Sequence, residues 1–116
     1  DFRPLISDSG NKRKVLTMLV KESETNKEEL VEAIRNKDRM RIKEIIHRMF
    51  PMWEMLGIAE ELQEYRNLVH DDSSGDQIMK EWTLKITASL DRLVSAAENE
   101  INSLIRQENE KENTDS

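Results

Sequence analysis

Three observations predict an all-α fold, an antiparallel up-down-up-down four-helix bundle with a short N-terminal lead-in segment. The 116 residues include only three glycines and two prolines, so turn signals are sparse. β-branched and aromatic residues seldom recur at period two, whereas apolar residues recur at helical spacing in successive stretches. Apolar and charged residues each make up 36% of the chain, as expected of a packed core under a highly charged surface. Length predicts one domain, placed at residues 1–106 and followed by a polar tail, 107–116.

Asp1 to Gly10 reads as the lead-in, with Phe2, Leu5 and Ile6 available to pack on a helix end and Asp8-Ser9-Gly10-Asn11 supplying turn and cap chemistry. From Asn11, the positions Leu16, Leu19, Ser23, Leu30 and Ile34 fall within one arc, which favours a single helix of roughly 25 residues. Its middle is polar, and Thr25-Asn26-Lys27-Glu28 fits a capping box, so two shorter helices are the competing reading. After a break at Asn36-Lys37-Asp38, a second helix carries Ile42, Ile45, Ile46, Met49, Phe50, Trp53 and Leu56 on one face. Gly57 is placed to take the left-handed conformation that ends it.

A third stripe runs through Ile58, Leu62, Tyr65 and Val69 up to His70, and Asp71 to Asp76 follows as a solvated loop. Beyond Gln77, the positions Met79, Trp82, Ile86, Leu90, Leu93, Ala97, Ile101 and Leu104 stay in phase for about seven turns. Gln107 to Ser116 has no apolar residue and is expected to fray or be disordered. Four amphipathic helices with short connections bury their stripes most simply as an up-down bundle.

Composition narrows function. A net charge of −6 argues against general nucleic-acid binding, which needs clustered Lys and Arg. There is no cysteine, no 18-residue apolar run and no signal-peptide core, which predicts a soluble, cytoplasmic domain without membrane contact. Glu44 and His47 have the Glu-x-x-His spacing of di-iron bundles, but Asn67 precedes His70 at the matching position, so the second pair is missing and no metal is expected. His70 reads as a helix C-terminal residue favoured by the dipole.

His47 is the remaining reactive group. On a helical wheel it lies about 60° beyond Phe50, outside the apolar arc, with Met40, Lys43, Pro51 and Glu54 on the same flank and Glu44 further round. An exposed imidazole offers an unprotonated ring nitrogen at neutral pH and can attack an electrophile brought to it. Pro51 lacks the N–H that would bond the carbonyl of His47, which predicts a local kink at the histidine. Between Arg35 and Arg48 six basic residues, Arg35, Lys37, Arg39, Arg41, Lys43 and Arg48, face only Asp38 and Glu44. Such a patch would attract an acidic protein surface.

His47, Pro51 four positions on and Gly57 ten positions on resemble the signature of histidine phosphotransfer (HPt) domains, whose pattern is His-x-x-Lys-Gly-Ser-x-x-x-x-Gly on the second long helix of a four-helix bundle. The run His47-Arg48-Met49-Phe50-Pro51-Met52-Trp53 looks like the form found in the C-terminal module of hybrid sensor histidine kinases. The resemblance covers almost the whole chain. Phe50 stands where the family has a basic residue and Pro51 where it has glycine, so Lys43 or Arg48 is left as the auxiliary cation.

The resemblance implies a phosphorelay intermediate with no kinase activity of its own. His47 would accept a phosphoryl group from a receiver-domain aspartyl phosphate and pass it to another receiver's aspartate. It implies receiver domains as partners, a histidine kinase in cis or trans, and docking through Met40, Glu44, Pro51, Glu54 and Gly57. It also implies no cofactor in this domain, with Mg²⁺ on the partner receiver, and a monomeric state. The alternative is a helical docking module that binds a receiver or kinase domain and is never phosphorylated.

Overall fold

The computed structural model describes residues 9–114 as four helices, α1 (Ser9–Arg35), α2 (Arg39–Met55), α3 (Ala59–His70) and α4 (Asp76–Thr114), with no strand among them. The lead-in residues Phe2, Leu5, Ile6 and Asp8 lie outside the described residues. The first helix is continuous through Thr25, over 27 residues. Its polar middle is used sideways: Asn26 accepts from Arg48 of α2, and Lys27 pairs with Asp91 of α4 at 2.8 Å. Ser23 and Asn26 are accordingly buried, so tertiary partners outweigh the local capping-box alternative.

Two tight turns of one kind bound α2. Before it, Lys37 takes φ 54, and the N–H groups of Lys37 and Asp38 donate to the carbonyls of Ile34 and Ala33. The Asp38 side chain then accepts from the Arg41 N–H and caps α2. After α2, Gly57 takes φ 74, with Gly57 and Ile58 donating to Glu54 and Trp53. Both ends close in the pattern that satisfies the last carbonyls of a helix. Gly57 therefore ends α2 as its position in the sequence predicts. Ile58 does not join the buried stripe, because this turn leaves it in a non-helical conformation at the cap of α3, 38% exposed.

Side-chain cross-links tie the neighbouring helices together. Lys12–Glu100, Arg13–Glu108 and Lys27–Asp91 join α1 to α4. Tyr65 and Ser89 mark the α3–α4 seam, the first bonded to Thr83 and the second to Glu61. Arg39 reaches from the start of α2 to the carbonyls of Val69 in the last turn of α3 and of Asp71 and Ser74 beyond it. In the loop after α3, the Ser73 hydroxyl and N–H donate to the Asp71 carboxylate and hold it below the usual carboxylate range.

The main core joins Leu30, Ile42, Ile45, Ile46, Met49, Trp53, Leu62, Tyr65, Val69, Met79, Ile86 and Leu90. A second, smaller cluster of Leu16, Leu19, Ala97 and Leu104 lies between the outer halves of α1 and α4, with Met52 and Leu56 packed against it. Those two helices outrun the shorter pair, which gives a molecule 65 Å long and 23 Å by 17 Å across. The polar stretch from Gln107, expected as a frayed or disordered tail, is helical through Thr114. Its Glu, Gln and Lys residues are good helix formers, extension of an existing helix is cheap, and Arg13 binds Glu108 at 2.7 Å.

The Tyr65 hydroxyl lies 2.6 Å from the Thr83 hydroxyl, which itself donates to the Met79 carbonyl, so Tyr65 donates and Thr83 accepts. Burial pushes the Tyr65 phenol up to about 12, more than the Thr83 hydrogen bond lowers it. Folding thus favours the neutral phenol. Its contribution is fully present below the ordinary value of 10.0 and is lost as pH rises through about 12. The urea midpoint of the wild type should fall between these pH values more steeply than that of Tyr65→Phe, which starts lower by about 1 kcal/mol for the lost hydrogen bond.

Candidate functional site

Ile46 and Met49 are buried on the core face of α2, which turns the intervening His47 outward. No hydrogen bond or ion pair to a described residue holds its imidazole. Pro51 lies one turn on, and α2 runs unbroken through it to Met55. Across from these residues stands the polar flank of α3. Together the two helices form an open groove of about 590 Å³, lined by His47, Phe50, Pro51 and Glu54 from α2 and by Ala59, Glu60, Gln63 and Arg66 from α3. Phe50 is half-buried against the core and forms the floor. The Arg66 guanidinium carbon sits 5.2 Å from the centroid of its ring.

The groove gathers His47, Pro51 and Glu54, as their shared flank predicts. Met40 projects from the start of α2, 73% exposed. Glu44 is exposed and bonded to Arg41 at 3.0 Å, and Gly57 closes the helix beyond the groove's end. Lys43 is half-buried and does not line the groove. Arg48 turns the other way. It donates to Asn26 Oδ1 at 3.1 and 2.7 Å and pairs with Glu29, so it belongs to the α1–α2 seam and not to the histidine.

Most of the basic stretch is spent in the same fashion. Arg39 caps α3, Arg41 pairs with Glu29 and Glu44, and Lys37 pairs with Asp76 at 3.4 Å. Three of the six cations, Lys37, Arg41 and Arg48, are thus paired with carboxylates, Asp76 of α4, Glu29 of α1 and Glu44 of α2, and Arg39 is held by backbone carbonyls. Arg48→Ala should lower stability by about 1 kcal/mol, by leaving the buried Asn26 carbonyl without its donors, while His47 keeps its reactivity. Chemical denaturation beside a phosphoryl-acceptance assay separates the two effects.

Sequence reasoning missed the α3 wall, above all Arg66. The signal was present in the chain. His47 stands nine residues before Leu56 and Arg66 nine after Gly57, so a tight antiparallel hairpin sets them level. By the same symmetry Phe50 faces Gln63, and Glu54 faces Ala59 at the turn end of the groove.

Comparison of the chain with protein-family models, curated proteins and solved structures found no match. The site therefore rests on its own geometry. Among the described residues no group of three or more His, Asp or Glu could hold a metal ion. No described helix is long and apolar enough to cross a membrane. His70 is exposed in the last turn of α3, away from the groove. Among the described residues, what the arrangement offers chemically is one unencumbered nucleophile at the side of a shallow groove, open to a large partner.

Proposed function

We propose that this bundle is a phosphorelay module that accepts a phosphoryl group on His47 from a receiver-domain aspartyl phosphate and returns it to the aspartate of another receiver. The single observation that carries the reading is the free, outward imidazole of His47 in the open α2–α3 groove. The resemblance of the His47 to Gly57 run to HPt domains supports it. In the transfer the lone pair of a ring nitrogen forms the N–P bond while the acyl P–O bond breaks. The departing electron pair restores the aspartate carboxylate, and the other ring nitrogen keeps its proton. Such a step needs in-line placement and charge neutralisation more than acid–base help, so a bare imidazole suffices when the receiver brings Mg²⁺ and its own pocket. A histidine kinase, in cis or in trans, would feed the relay.

A docking module without chemistry is the second reading, favoured by Met40, 73% exposed on the same flank and suited to apolar contact. The two separate in one experiment. The purified domain is incubated with ³²P-labelled phosphoreceiver and Mg²⁺ at neutral pH. Label should pass to wild type and to His70→Ala, in an acid-labile, alkali-stable bond. Receivers that bind but never transfer label would establish docking instead.

A further inference from the structure

We infer that Arg66 is the cation that holds the phosphoryl group beside His47. This rests on the relay reading above and assigns the charge that reading requires. A phosphoryl group in transfer carries close to two negative charges, and a guanidinium neutralises it with directed N–H donors. Among the described residues lining the groove Arg66 is the only cation. Lys43 lies outside it, and Arg48 is bound to Asn26 and Glu29 on the opposite side of α2.

Arg66 is also available. No carboxylate pairs with it among the described residues, and its guanidinium stands over the ring of Phe50. Ring stacking leaves the edge N–H donors of a guanidinium free while limiting its rotamers, so the charge is held in place without being neutralised. Two carboxylates, Glu54 and Glu60, share the groove and oppose an anion. They lie toward the Gly57 turn, with Glu54 seven residues along α2 from His47, which is about 10 Å. That is roughly a Debye length at physiological ionic strength, and the guanidinium stands over Phe50, which lies between His47 and Glu54 along α2.

The alternative is that Arg66 merely covers Phe50 with its alkyl stem. Arg66→Met keeps a long side chain over the ring and removes the charge, while Arg66→Lys restores a charge on a similar stem. A third variant, Phe50→Lys combined with Arg66→Met, returns a cation to the groove from the α2 side. Each is checked by its thermal unfolding and assayed with two donors, a phosphoreceiver and phosphoramidate. The second needs no protein partner: its P–N bond breaks, ammonia leaves with the electron pair, and the phosphoryl group joins the imidazole.

Arg66→Met should slow labelling of His47 from both donors by roughly tenfold to a hundredfold, toward the lower end of what one charged donor contributes. Its unfolding midpoint should stay near that of wild type. Arg66→Lys should recover part of the rate, and Phe50→Lys/Arg66→Met should exceed Arg66→Met alone. Labelling of Arg66→Met within twofold of a competent wild type overturns this inference and leaves the relay intact. Failure of wild type to accept label from either donor overturns the relay and this inference together.

Discussion

His47→Ala should reduce phosphoryl acceptance to background while leaving the unfolding midpoint unchanged within about 0.5 kcal/mol. The two halves of this result come from different parts of the structure. Removing the only groove-lining imidazole removes the atom that forms the bond to phosphorus, and no neighbouring side chain can replace it. The fold does not notice, because the side chain is exposed and bonded to no described residue. A parallel loss of stability would mean that the imidazole has a packing role at odds with its outward placement. Labelling and chemical denaturation on the same preparation read both quantities.

Trp53→Ala should be the most damaging of the substitutions considered for stability, at about 3–5 kcal/mol. The indole is 2% exposed and packs in the main core at the last turn of α2. A domain of this size is stable by roughly 5–15 kcal/mol in all, so the variant forfeits a large share of its margin. Trp82 is the internal comparison. It is half-buried, with the Lys85 ammonium 4.4 Å from its ring centroid, and its truncation should cost clearly less. Urea denaturation followed by far-ultraviolet circular dichroism ranks the pair; equal costs would contradict the burial difference.

The elements legible in the chain were those whose signal is local. The α2 face from Ile42 to Trp53 is set by period alone, and the Gly57 turn by the one residue type that takes positive φ freely. The break at Asn36 to Asp38 was visible too, although Lys37 rather than a glycine takes the left-handed position there. What could not be read was set between helices. Asn26 and Lys27 look like a cap in isolation and become cross-links once α2 and α4 are adjacent. The charges of Arg39, Arg41 and Arg48 looked free because their partners lie on other elements or in the loop after α3. Arg66 escaped notice because single-helix wheels carry no register between α2 and α3. The polar stretch after Gln107 misled for the opposite reason: absence of apolar residues argues against burial, not against helix.

The unequal lengths of the two helix pairs also set how the molecule opens. Beyond the ends of α2 and α3, each long helix has one neighbour instead of two, and the pair is held by the small cluster around Leu16, Leu19 and Leu104 and by the Lys12–Glu100 and Arg13–Glu108 ion pairs. Amide protons in this outer stretch exchange through openings that break only those contacts, whereas exchange around Ile45, Leu62 and Ile86 requires the whole bundle to come apart. His47 stands nearer the main core, while Met52 and Leu56 at the far end of its helix touch the outer cluster, so opening at the tip reaches α2 first at the Gly57 turn and last at the histidine.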